Sequence, residues 1–266
     1  DKLKSLFTNN REDFQNKWND IKIVLEYGML TDEKFYEKAG DFVLYPTTDG
    51  QYYTLSELKE AIKANQTDKN DTLVVLYAQN KEQQYTAIEE AKAKGYQVLL
   101  LDSPIVSHLI QKLEEKNEKL TFARVDAAPL SKLIQKDEPI LAKHSEEEKN
   151  TLKADIEKVL PKEGYMVQIE DLDSDDTPFV INQPEFMRRM KEMSATGGGG
   201  MFGAFPDMYH VVVNANAPLA DTILAAPDEA AKEKLIKQAF DLARLSQGLL
   251  KGKELSEFVK RNWEIC

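Results

Sequence analysis

A chain of 266 residues has room for one large domain or two ordinary ones, each with its own core. Apolar residues make up 42% and charged residues 30%, a globular composition, and no apolar run approaches the ~20 residues that cross a bilayer, so no membrane role is expected. The net charge of −11 argues against nucleic acid, because an acidic surface displaces no counterions from a phosphate backbone.

Leu3, Leu6, Phe7, Phe14, Trp18, Ile21, Val24 and Leu25 recur at steps of three and four and predict a helix that stops at Gly28. The preceding Asp1-Lys2-Leu3-Lys4 has no signal-peptide character and no initiator Met, which reads as a start inside a longer protein. A turn at Thr47-Thr48-Asp49-Gly50 and a short helix from Leu55 to Ile62 come next. Leu73–Tyr77 and Val98–Leu101 are continuous apolar runs of the kind buried on both faces of a parallel sheet. A helix from about Lys81 to Lys94, ended by Gly95, joins them. Ser103 is expected to cap a second helix, with Pro104 at its first position, that leads to a third strand at Leu120–Val125. This alternation predicts a small α/β/α parallel-sheet unit with right-handed crossovers, preceded by a helical segment.

Pro129, Pro139 and mixed charge mark residues 126–143 as a boundary, giving domains 1–135 and 136–266. The second reads as α+β. A charged helix runs from Ser145 through Leu152, Ile156 and Val159 to Pro161. Tyr165–Ile169 and Phe179–Ile181 read as antiparallel strands around the acidic turn Glu170–Asp176. Pro184 opens a helix to about Met193, Gly197–Gly200 form a flexible connector, and Tyr209–Val213 and Pro218–Ala225 read as strand and short helix.

Two helices close the chain. In the first, Leu235, Ala239, Leu242, Ser246 and Leu249 share one face, and Ile236, Phe240 and Ala243 a neighbouring one. The second carries Leu255, Phe258, Val259, Asn262 and Trp263. This arc is too wide for a thin seam; it either fills the core of its own domain or packs against a symmetry mate in an intersubunit bundle.

Residues for chemistry are scarce. Gly198, Gly200 and Gly203 have the G-x-G-x-x-G spacing but follow a helix instead of opening one, so they form no dinucleotide turn. Of the three histidines, His108, His144 and His210, only His144 has a carboxylate one helical turn away, at Glu148, and no third metal ligand is signalled. The acidic segment Glu170–Asp176 lacks the glycine and closing glutamate of a calcium loop. Cys266, the lone cysteine, forms no internal disulfide and points to a reducing, cytoplasmic compartment. No catalytic residue, metal or cofactor is therefore expected. The rival reading is a small α/β nucleotide- or flavin-binding enzyme with a helical dimerisation tail. Against it, Ala78-Gln79-Asn80-Lys81-Glu82, the loop after the first strand, offers no glycine for phosphate approach.

The most unusual feature is apolar. Met187, Met190, Met193, Met201 and Met208 are five of the seven methionines, and Phe186, Phe202 and Phe205 lie among them. Phe186, Met190 and Met193 fall on one helical face beside a tetraglycine that is costly to order. Methionine adapts to varied apolar partners, so Phe186, Met187, Met190, Met193, Met201 and Phe202 are expected to form an exposed binding element.

Four segments, FQNKWNDIKIVLEYGMLTDEKFYEK (Phe14–Lys38), GYQVLLL (Gly95–Leu101), DTPFVI (Asp176–Ile181) and VVVNANAPL (Val211–Leu219), resemble the bacterial ninety-kilodalton heat-shock chaperones of the high-temperature protein G type. The resemblance is collinear over nearly the whole chain. It implies the last part of the middle domain up to about residue 130 and the C-terminal dimerisation domain from about residue 140. It implies a homodimer that binds unfolded or partly folded client proteins, with the ATP and magnesium site in a domain outside this chain. Client contacts carry over to His108 and Gln111, and to Phe186, Met187, Met190 and Met193. On the same footing Leu235, Ile236, Ala239, Phe240, Leu242, Leu249, Leu255, Phe258 and Val259 are the expected dimerisation residues.

Overall fold

The computed structural model describes residues 2–197 and 206–264. They group into two units, one of residues 2–126 with 188–197, the other of residues 127–187 with 206–264. Both are mixed α/β.

The first unit begins with helices α1 (Lys2–Asn9), α2 (Arg11–Asn16), α3 (Trp18–Thr31) and α4 (Glu33–Ala39). The single helix expected up to Gly28 is thus broken twice and ends later. Asn10 interrupts it because its side chain accepts the Asp13 amide at 3.1 Å and caps α2. Gly28 does not stop α3. It lies inside the helix under the Phe35 ring, which a Cβ at this position would approach to 2.8 Å. The chain turns instead at Asp32, whose carboxylate accepts the Phe35 amide at 3.0 Å and caps α4.

A hairpin of β1 (Tyr45–Pro46) and β2 (Tyr52–Tyr53) turns at Gly50, where φ is +82°. There follow α5 (Leu55–Gln66), β3 (Leu73–Ala78), α6 (Tyr85–Ala93), β4 (Val98–Leu100), α7 (Val106–Lys116) and β5 (Leu120–Arg124). The sheet is parallel in the order β4-β3-β5, with Leu76 opposite Val98 and Val75 opposite Phe122. The middle strand β3 is buried at every position but its first, as suits a central strand of a parallel sheet. Ser103 does not cap α7, which starts at Val106 with Ile105 in the cap position. Ser103 instead hydrogen-bonds the buried carboxyl of Glu26, whose pKa burial pushes upward. Phe14, Trp18, Leu58, Tyr77, Leu109, Ile110 and Phe122 anchor the core.

The second unit holds α8 (Leu130–Leu133), α9 (Glu146–Val159), β6 (Tyr165–Glu170), β7 (Phe179–Asn182), the start of α10 (Glu185–Gly197), β8 (Tyr209–Asn214), α11 (Pro218–Leu224), α12 (Glu229–Ser246) and α13 (Gly252–Trp263). Ser145 and Glu148 close a reciprocal capping box on α9. β6 and β7 run antiparallel, as expected, but are not neighbours in the sheet. β8 lies between them, parallel to β6 (Val167 opposite Val211) and antiparallel to β7 (Ile181 opposite Val211). The reason is apolarity. Val211-Val212-Val213 is buried throughout and takes the central position, while β6 is half-exposed along most of its length and suits an edge.

The acidic segment is held by two buried amides. Asn214 Nδ2 donates to the Asp173 carbonyl at 2.7 Å, and Asn216 Nδ2 to the Leu172 carbonyl at 2.9 Å and the Leu141 carbonyl at 3.0 Å. Leu152, Ile156, Ile181, Val211, Val213, Ile223, Ile236 and Phe240 build this unit's core.

Candidate functional site

Two apolar surfaces stand out. The first lies on α10. At 100° per residue, Arg188, Arg189, Glu192 and Thr196 share one side of the helix, and Phe186, Met190 and Met193 the adjacent side. The polar side is the anchored one. Arg189 donates to both carboxylate oxygens of Glu114 on α7, at 2.7 and 3.2 Å, and to the Phe122 carbonyl on β5 at 2.7 Å. Arg188 is buried, donates to the Tyr77 hydroxyl at 2.8 Å and pairs with Glu192 at 2.7 Å. Glu192 in turn accepts the Ser107 hydroxyl.

The apolar side is left uncovered or partly covered. Phe186 is 73% exposed, and Met187, Met190 and Met193 are half-buried. His108 on α7 is half-buried, with Nε2 3.0 Å from the Thr196 hydroxyl, so the structure brings it to α10. Gln111, one turn further along α7, is exposed and donates to Glu115 at 3.0 Å. Met201 and Phe202, like the glycines at 198, 200 and 203, lie outside the described residues. Arg188, Arg189 and Glu114 were not singled out from the sequence. The available signal was two adjacent arginines on the polar side of a helix whose other side is methionine.

The second surface lies on the terminal helices, where α12 has two separable apolar arcs. Ile236, Ala239, Phe240 and Ala243 are buried in the core of their own unit. Leu242 and Leu245 are 50% and 42% exposed, and Leu235 and Leu249 are half-buried. Residues 235, 238, 242, 245 and 249 alternate steps of three and four, so they form a narrow seam interrupted only by Gln238. On α13, Phe258 is buried and Leu255 half-buried, while Val259 and Trp263 are 43% and 74% exposed. The exposed Leu245 and Trp263 had not been among the expected dimerisation residues.

Charged side chains fix α13 on α12. Arg261 donates to Asp241 at 2.8 Å, Arg244 pairs with Glu254, and Gln238 donates to Asn262 at 2.8 Å. Asp241 and Arg244 are themselves buried. The Glu254 carboxyl is held below its ordinary range by the bond from Arg244.

The crevice at the strand ends of the parallel sheet is closed by the chain's own atoms. Gln84 Oε1 accepts the Gln79 and Asn80 amides at 2.8 and 3.0 Å, the donors a phosphate would need. Gln84 Nε2 donates to Asp126, which also pairs with Arg124 at 2.6 Å. This disfavours the nucleotide- or flavin-enzyme reading. His144 lies 2.8 Å from Asp221 and 3.6 Å from Glu148. Among the described residues no three His, Cys, Asp or Glu side chains come together as a metal site, and no helix is long and apolar enough to cross a membrane.

A family model described as Hsp90 protein matches residues 1–262. Chaperone protein htpG of Bacteroides fragilis is 35% identical over 333 aligned positions, covering 100% of this chain and 49% of the relative. With 266 residues in the chain, that relative carries residues inside the matched span that have no counterpart here. Chaperone protein HtpG of Porphyromonas gingivalis is 39% identical over 249 residues, 92% of the chain and 36% of the relative. That of Bacteroides thetaiotaomicron is 34% identical, covering 100% and 49%. The chain spans about half the length or less of these curated relatives. With a family match over nearly every residue and relatives above one-third identity, this chain belongs to the Hsp90 family of heat-shock chaperones.

Proposed function

We propose that this chain is the client-binding and dimerising portion of an Hsp90-type chaperone, formed from the end of a middle domain and a C-terminal dimerisation domain. The observation that carries the reading is the uncovered side of α10, where Phe186 projects into solvent and three methionines stay only partly covered. A flexible apolar side suits weak, unselective capture of unfolded chains. Full burial of one such side chain contributes roughly 1.5–3 kcal/mol. Several partly engaged side chains, less ordering costs, give affinities of about millimolar to micromolar.

The exposed seam of Leu242, Leu245, Val259 and Trp263 supports a homodimer through the terminal helices. Two weak client surfaces in one dimer gain avidity through effective concentration. ATP and magnesium belong to the part of the protein outside this chain, which itself carries no catalysis. Its compartment is the cytoplasm, and nucleic acid and membrane are not its partners.

The test replaces Met187, Met190 and Met193 together with Ser and measures suppression of aggregation of a denatured client protein. The reading expects suppression to fall while circular dichroism stays unchanged. Undiminished suppression removes α10 as the client surface.

A further inference from the structure

We propose that the methionine-rich helix α10 is a detachable arm, held on α7 and β5 by a polar latch whose opening presents its apolar side in full. The latch consists of Arg188, Arg189 and Glu192 against Tyr77, Glu114, Ser107 and the Phe122 carbonyl.

The argument begins with which side of the helix is fastened. The hydrophobic effect has no direction, so an amphipathic helix left to it turns its apolar side inward. α10 departs from this, for its most buried side chain is Arg188 while Phe186 is 73% exposed. Its fastening runs through hydrogen bonds and ion pairs, and its methionines stay half-buried. Water offers every one of these polar groups a substitute when the arm lifts, so their net contribution is small although their geometry is specific. The apolar side works the other way, since any greasy partner that covers it draws the arm towards the released form.

Three features make this fastening a latch instead of an incidental contact. Arg189 engages Glu114 through two nitrogens, which fixes direction as well as charge. Glu114 is also the acceptor of the Phe122 amide at 2.7 Å and of the Thr121 hydroxyl at 3.2 Å, so the arm's anchor is built into the edge of the sheet. Arg188 is buried, and it reaches Tyr77, a side chain with no exposed surface. Loss of the Tyr77 hydroxyl removes one acceptor from a buried guanidinium, which weakens the closed form. In the closed form the latch also occupies Ser107, and His108 lies against Thr196. Opening therefore frees α7 and α10 together.

The consequence for clients rests on the proposed function; the latch itself does not. The test follows backbone hydrogen exchange in the whole chain at low and high salt, for wild type, Tyr77→Phe and Arg189→Ala. Both substitutions remove a latch bond and leave the β3 and α7 cores in place. Exchange at α10 is expected to rise roughly tenfold or more in each variant, and to rise with salt in the wild type, with β3 and α7 unchanged. Unchanged α10 exchange in both variants overturns the latch, and so does an equal rise across α10, β3 and α7. Faster α10 exchange with no change in aggregation suppression upholds the latch and removes the client reading.

Discussion

Helix α12 provides a test with an internal control, because its two apolar arcs carry different expectations. The perturbation is Leu242→Gln with Leu245→Gln, which extends the polarity already present at Gln238 along the seam and keeps good helix formers. Both leucines are about half exposed, so covering them in a dimer is worth about 1 kcal/mol each, or about 4 kcal/mol for the four side chains of two protomers. The two Val259 side chains add about 2 kcal/mol, and the two Trp263 side chains, each largely exposed, about 8. Against this total of about 14 kcal/mol stands an association cost of roughly 4–15, so the leucines are not a surplus the dimer can lose. Their removal should weaken dimerisation by roughly a thousandfold. Unfolding of the subunit itself should move by no more than about 0.5 kcal/mol per site. Ile236→Ala, on the buried arc, should cost about 2–5 kcal/mol of folding stability at any protein concentration. Sedimentation velocity from low to high micromolar concentration, paired with denaturant unfolding, separates the two effects. A double variant that sizes like a dimeric wild type at every concentration refutes the placement of the seam. A wild-type monomer at high micromolar concentration refutes the dimer.

Acid should loosen the first unit at Glu57, whose pKa is drawn down to about 2, chiefly by hydrogen bonds from Arg11 and then from the Thr54 amide. The folded value lies below the unfolded one, so this stabilisation is present above the ordinary glutamate range and lost as pH falls towards 2. Arg11→Ala should raise the Glu57 titration followed by carboxyl NMR, and an unmoved titration contradicts the assignment. Asn216→Ala removes acceptors and donors for Leu141, Leu172 and Lys143 and should cost about 1–3 kcal/mol in denaturant unfolding; a change within error would mean that water replaces the network. Gly28→Ala drives a methyl group into the Phe35 ring and should cost about 1–3 kcal/mol from overpacking, offset by up to about 1 kcal/mol of helix propensity. A stabilised variant would show that the ring moves aside freely.

The parallel sheet was legible because two of its strands, β3 and β4, are continuous apolar runs and β5 follows at a similar separation. Local punctuation was less legible. Gly28 looks like a stop, yet the approach of Phe35, seven residues on, makes glycine necessary inside the helix. The pairing of the second sheet was hidden for a related reason. β6 and β7 are neighbours in sequence, but the strand that both need is β8, and burial of its valines decides the order. At the candidate sites periodicity marked the apolar positions but not which of them are exposed: Ile236, Ala239, Phe240 and Phe258, expected at a dimer face, are buried in the subunit, and Leu245 and Trp263 are exposed instead. The polar half was not legible, because nothing in the spacing of Arg188 and Arg189 names Glu114, Tyr77 or the Phe122 carbonyl as partners.

A common device links the two surfaces. α10 is tied down by Arg188 and Arg189, and α13 is tied to α12 by Arg244, Arg261, Asp241 and Glu254. In each case ionic and hydrogen-bonding groups hold an amphipathic helix within the chain and leave apolar side chains facing outward. On α12 and α13 hydrophobic contacts share this holding through the buried Ile236, Phe240 and Phe258, while the polar bonds fix which apolar side chains stay outside. Directional bonds set the rotation of each helix and so keep an apolar side uncovered, at some expense in desolvation. The physical expectation for a protein that must stay folded while offering apolar surface is therefore a set of part-buried arginine–carboxylate pairs behind that surface. Neutralising those pairs should disturb binding or assembly before it disturbs the cores of Leu152 and Ile156 or of Leu109 and Ile110, which none of them enters.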